Sequence, residues 1–177
     1  MNENKILVID IETTQFLQKG GSIVEIGAVE LNLDNGEITE VFNSLLREPI
    51  LTAAHRDAWI FSNSDLTVEM VRDAPEASLI YPQVQYIIDQ YPLGCTAYNR
   101  NFDVDFLVSR GIRFGKLLPC PMWLCQKLMG GKNPNVSKAY KFLFPESEYV
   151  EAHRGCDDAK HEAEICYELY KRGIFTI

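Results

Sequence analysis

Three groups of residues put acids or a histidine where a fold alone has little use for them. Asp10-Ile11-Glu12 closes the apolar, β-branched run that begins at Lys5. Residues i and i+2 of a strand share a face, so both carboxylates project side by side and repel unless a proton or a cation lies between them. One acid there marks where burial stops. Two on one face point to a cation, and oxygen-only ligands select hard ions such as Mg²⁺ or Mn²⁺. The second group, Tyr98-Asn99-Arg100-Asn101-Phe102-Asp103, spans a strand-to-helix junction. Asp103 falls in the first helical turn, where the dipole favours an anion and capping alone accounts for it. Asp105 faces elsewhere and is expected in solvent, and Arg100 is expected at the surface, well placed to meet a phosphate. In the third group, His153 and Asp158 diverge if both are helical and converge if His153 sits on a loop, which Gly155 makes easy, with Asp158 in the first turn of the last helix. His55 and His161 are read as surface or hydrogen-bonded structural residues.

The elements that hold these groups follow from periodicity and punctuation. Strands are expected at 5–10, 22–33 and 37–46, with Asp34-Asn35-Gly36 supplying the positive-φ residues of a hairpin turn. Residues 49–74 read as loop with a short helix over 65–71, N-capped by Ser64. A helix from Pro75 to about Gln90 precedes a short strand at 94–98. Further helices are expected at 101–110, 121–129, 136–144 and 156–172, the last with Ala159, Ala163, Cys166 and Tyr170 along one stripe. Strands first, then helices between and after them, indicate one α/β domain over 1–177: a central mixed sheet that opens with an antiparallel meander and is flanked by helices.

Composition sets limits on partners. The chain has 177 residues and a net charge of −8, which disfavours a protein that grips long nucleic acid through bulk positive charge. The charge is uneven: residues 1–99 carry 5 basic and 15 acidic side chains, whereas 100–141 carry 8 basic against Asp103 and Asp105. That basic segment reads either as solvated helix faces or as a local anion-binding face. The five cysteines lack a Cys-x-x-Cys pair, which fits reduced, buried thiols and a cytoplasmic location. No stretch approaches membrane-spanning length, so no membrane partner is expected.

Together, Asp10-Ile-Glu12-Thr-Thr, Asn99-x-x-Phe102-Asp103 and His153 followed by Asp158 resemble the three motifs of the DEDD exonuclease superfamily, histidine-containing branch. Ile23 to Val29 resembles the family's second strand, and Ala139 to Phe144 the helix before its third motif. The chain departs from the family with Gln15 where Gly is frequent, Phe16 where the family has a leucine-like wedge, Tyr98 where His precedes Asn, and Gly155 where Ala is usual. The resemblance implies a ribonuclease H-like fold and a 3′-5′ exonuclease releasing nucleoside 5′-monophosphates from single-stranded DNA or RNA. It further implies a two-metal mechanism: Asp10, Glu12, Asp103 and Asp158 hold two divalent cations, Mg²⁺ or Mn²⁺. His153 is then the general base, histidine being the side chain that exchanges protons near neutral pH. Thr13, Thr14, Phe16, Tyr98, Asn99 and Phe102 are the implied substrate contacts. The expected partner is a nucleic acid with a 3′ end, and no polymerase- or clamp-binding tail is visible after the last helix. The alternative is a catalytically weak nucleic-acid-binding or accessory module of the same fold, which the complete set of five motif residues disfavours. Two bound divalent cations would bring the charge to −4, so acidity argues only against tight, metal-free binding.

Overall fold

The computed structural model describes residues 4–49 and 55–177; the part of the expected loop at 50–54 lies outside these. β1 (Lys5–Thr13), β2 (Ile23–Asn32) and β3 (Ile38–Leu45) pair as successive antiparallel neighbours. β4 (Cys95–Thr96) returns parallel to β1, giving a four-stranded mixed sheet of order β3-β2-β1-β4. This is the expected α/β architecture. In the turn after β2, only Gly36 takes a positive φ, of 78°; Asp34 and Asn35 do not need one because their stretch is a wider turn closed by Gly36 N–H on Asn32 O at 2.8 Å.

α1 (Ile60–Asn63) and α2 (Val68–Arg72) occupy the link between β3 and the longer α3 (Ala77–Ile88). The short helix begins later than the sequence suggests. Its N-cap is Thr67, whose hydroxyl accepts from Met70 N, while Ser64 ends α1 and its Oγ accepts from Leu66 N. Ser64 and Thr67 are both good caps, and the burial of Leu66 between them decides which is used. α4 (Arg100–Ser109), α5 (Pro121–Met129), α6 (Val136–Leu143) and α7 (Gly155–Lys171) complete the chain. Among the described residues, no helix is long and apolar enough to cross a membrane.

The alternation of β1 determines the whole arrangement. Leu7, Ile9 and Ile11 face a core shared with Ile80 and Val84 of α3 and Phe106 and Leu107 of α4. Ile6 and Val8 face the opposite core, with Val29, Leu31 and the α7 stripe of Ala159, Ala163 and Cys166. Asp10 and Glu12 continue that second face, so the strand delivers both carboxylates toward α7. Tyr170, expected in the stripe, stands at the rim with 37% of its surface exposed.

The start of α7 lies directly on β2. A Cβ added at Gly27 would overlap the Gly155 carbonyl and the Cys156 N–H, and one at Gly155 would stand 2.8 Å from Gly27 N. Glycine at 155, where the family usually has alanine, fits this approach of backbone to backbone. Gly27→Ala should therefore cost about 3 kcal/mol of stability, the upper range for overpacking a tight core; urea denaturation with an unchanged midpoint would refute the close contact.

Candidate active site

Asp10 and Glu12 meet acids from two other elements at the end of β1. From the first turn of α4, Asp103 reaches across to accept the Ile11 N–H at 3.2 Å and is buried. Asp158, in the first turn of α7, is also buried. It accepts from the Tyr149 hydroxyl (2.9 Å), Ala152 N (3.3 Å) and Arg154 N (3.1 Å). Ligand atoms of Glu12, His153 and Asp158 all lie within 4.8 Å of one another. The structure thus brings Asp10, Glu12, Asp103, Asp158 and His153 together from three segments of the chain.

The electrostatics of this cluster are those of a site short of positive charge. Burial, then the Glu162 carboxylate and the other acids around it, pushes the Asp10 carboxyl far above the usual carboxylate range. Burial and Asp158 push Glu12 up to about 9. Burial pushes Asp103 up to about 8 despite the N–H groups that bond its carboxylate. Asp10 Oδ2 is buried and accepts no hydrogen bond. An orphaned carboxylate oxygen among converging oxygen donors is what a hard divalent cation satisfies, so the residues fit the metal ions that the family generally uses.

Sequence patterns missed four neighbours of this cluster. Glu162 lies one turn after Asp158, buried on the apolar face of α7, and accepts the Tyr98 N–H at 3.0 Å. Its signal was an acid in an otherwise apolar stripe. Glu25 stands directly opposite Glu12 in the β1–β2 register, and like charges in that position destabilise a sheet. Arg154 answers it: the guanidinium bonds Glu25 at 2.9–3.2 Å and Asp65 at 2.8 Å, and Gly155 N adds a bond to Glu25 at 3.1 Å. Arg154 therefore pins the segment that carries His153. The histidine has φ 54°, unlike every other described non-glycine residue, a conformation that costs free energy and persists because its neighbours hold it. The fourth, Trp59, lies edge-on to His153 with ring centroids 4.7 Å apart and remains 58% exposed.

The expected substrate contacts separate into two kinds. Phe16 is exposed and meets half-buried Phe102 edge to face at 6.3 Å, so the two present aromatic surface beside Asp103; Asn99 is exposed at the start of α4. Thr13 is half-buried at the end of β1. Thr14 is buried, its N–H donating to Ser22 O and its hydroxyl accepting from Ser22 N, which holds the β1–β2 turn. Tyr98 corrects the sequence expectation: it is a core residue, 2% exposed, with its hydroxyl on the Pro134 and Asn135 carbonyls. At the end of β4 its side chain points into the layer of α5 and α6, away from the site. Arg100 is likewise less free than expected, bonding the Leu118 carbonyl and lying 5.8 Å from the Trp123 ring. Asp105 is exposed as expected. His161 packs on Tyr149 at 4.1 Å with Nδ1 2.9 Å from Asp157 O, a structural role. His55 departs from its reading: it is buried and its Nδ1 has no hydrogen-bond partner.

The RNase_T exonuclease family model matches residues 7–166, from β1 through the helix that carries Asp158. The chain belongs to this exonuclease family, within the DEDD superfamily. The exonuclease chain is 30% identical over 173 residues to a DNA polymerase III PolC-type protein of Clostridium perfringens, covering 96% of this chain and 11% of that protein. A PolC-type protein of Caldanaerobacter subterraneus is 28% identical, with 96% and 12% covered. The chain therefore spans about a tenth of the length of the curated relatives it matches. Its fold superposes on the nuclease domain of 3′hExo, a DEDDh family member bound to rAMP, with TM-score 0.70, 17% identity and 98% and 96% of the two chains covered. It also superposes on a 3′-exonuclease that recognises the 3′ end of a histone mRNA stem-loop, with TM-score 0.71, 18% identity and coverage of 98% and 85%.

The crowded carboxylates make the metal-free exonuclease pH-sensitive in a definite direction. A carboxyl whose pKa is higher folded than unfolded binds its proton more tightly in the folded state, so its contribution is full below about pH 4. It is lost as pH rises through the folded values, about 8 for Asp103 and about 9 for Glu12. In EDTA the melting temperature should fall between pH 6 and 9, and Mn²⁺ should restore it at pH 8.5; a flat profile would contradict the electrostatics. Arg154→Ala strands Glu25, 1% exposed, and should cost about 3–5 kcal/mol, the range for breaking a buried pair. Glu25→Gln in that background should recover part of the loss in the same denaturation assay.

Proposed function

We propose that the chain hydrolyses single-stranded DNA or RNA from the 3′ end, releasing nucleoside 5′-monophosphates. The observation that carries this is the convergence of Glu12, His153 and Asp158 within 4.8 Å beside the orphaned oxygen of Asp10. Divalent cations at the carboxylates would supply activation of water and stabilisation of the leaving alkoxide. Asp10, Glu12 and Asp158 would hold the ion on the nucleophile side, and Asp10 with Asp103 the second. His153 takes the proton from the attacking water. Its backbone, wrapped on Asp158 through the flanking 152 and 154 N–H groups, aims the imidazole at the space between Glu12 and Asp158. The edge-to-face pair Phe16–Phe102 receives the terminal base, and Asn99 lies next to it.

The 3′ polarity is supported by the likeness to 3′-exonuclease folds and by an exposed aromatic pair on one side of the acids. Solved relatives at 17–18% identity were described with RNA and rAMP, while the PolC-type relatives are named as DNA polymerases, so both sugars belong in the first assay. End-labelled single-stranded DNA and RNA with Mn²⁺ should give a stepwise ladder from the 3′ end that EDTA abolishes. His153→Ala should lower kcat by about 10²–10⁴-fold, the usual range for a general base, while Mn²⁺ still raises the melting temperature. Near-normal turnover in that variant would remove His153 from the chemistry.

A further inference from the structure

Apart from Phe102 and Asp103, the segment 100–141 has been given no role in the site, and its cations are partnered unlike the rest. Outside it, every Lys and Arg except Lys19 and Arg56 pairs with a carboxylate; inside it, among the described residues, only Arg110 does. Lys116, Lys127, Lys132 and Lys138 are exposed. In a protein of net charge −8, acids are plentiful, so a set of cations left unneutralised is charge available to an anionic partner.

The same segment presents an aromatic surface. Trp123 in α5 is 41% exposed, with the Arg100 guanidinium 5.8 Å from its ring. Lys127 follows one helical turn later on the same face. Arg100 bonds the Leu118 carbonyl, and Lys116 lies two residues earlier, where its carbonyl accepts from Cys95 of β4. Arg100 joins this surface to α4, which it opens three residues before Asp103, and Met122 N at the start of α5 donates to Tyr98 O. Cations interleaved with a flat ring hold a single strand by its phosphates and one base face, with little regard to sequence. The exposed indole beside a guanidinium favours a nucleic-acid strand, whose bases stack on it, over an acidic protein.

We propose that Arg100, Lys116, Trp123 and Lys127 form a track for the part of the substrate strand lying 5′ of the scissile bond. The inference rests on the exonuclease reading and adds to it a preference for strands long enough to reach α5. Trp123 stacks on a base while Lys116 and Lys127 meet neighbouring phosphates.

The test compares dinucleotides with decamers, as DNA and as RNA, using wild type, Trp123→Ala and the double variant Lys116→Glu/Lys127→Glu. For the double variant, decamer kcat/KM should fall by about tenfold, chiefly through KM, with dinucleotide hydrolysis changed by less than roughly twofold. Decamer affinity, read by anisotropy in a His153→Ala background with Mn²⁺, should lose about 1.4 from its log–log salt slope, two phosphate contacts at about 0.7 each. Trp123→Ala should weaken decamer binding at every salt concentration without changing that slope. Equal losses on both lengths, or decamer binding as tight as wild type in both variants, would overturn the track; the second result would leave the cations to an acidic protein partner. If wild type hydrolyses neither length yet the variants still weaken decamer binding, the exonuclease reading fails and the track stands.

Discussion

Mutual repulsion of carboxylates at the end of β1 is the constraint on which the rest of this structure depends. Asp10, Glu12, Asp103, Asp158 and Glu162 share a largely buried space; burial raises Asp103, and burial joined by the neighbouring carboxylates raises Asp10, Glu12 and Glu162, above the ordinary carboxylate range. Charges of one sign in a medium of low dielectric cost far more than they do in water. Such an arrangement survives because the fold is stabilised elsewhere, by two apolar layers on either side of the sheet. The same repulsion makes the cluster a strong attractor for divalent cations.

A second feature keeps that repulsion from spreading. Glu25 faces Glu12 across two strands, and without Arg154 the sheet itself would be strained by the site it carries. The guanidinium neutralises Glu25 and, through Asp65, ties the β3–α3 link to the loop before α7. Because Arg154 follows His153 directly, one ion pair serves both sheet stability and the placement of the imidazole. Trp59 adds a contact from the same link. The His153 loop is thus held from β2, from Asp158 and from the segment after β3, which is what a residue at φ 54° requires.

Much of this was legible from local patterns. The two acids of β1 were visible because they interrupt an apolar run, and the position of Asp103 followed from a helix start expected at Asn101, one residue after the observed one. The readings of Tyr98 and Ser64 departed from the structure for reasons local patterns do not contain. Tyr98 sits beside Asn99 in sequence, yet the direction of its side chain depends on which layer covers the end of β4. Ser64 and Thr67 have equal claims as caps, and the burial of Leu66 chose between them. Glu162 and Glu25 escaped notice because an acid in a helix or an edge of a motif looks solvated until its partners are known.

By itself the sequence determined the family motifs and the mixed α/β order, and it singled out five candidate residues, since each depends on spacing within a few residues. Only the tertiary structure decided which other groups complete the site. Contacts such as Glu25 with Arg154, 129 residues apart, or Tyr98 N with Glu162, 64 apart, arise from packing α7 against β1 and β2. Periodicity places a side chain on a face of its own element, whereas partners on another element are set by how the layers close over one another. That closure turns scattered acids into one cation-demanding cluster.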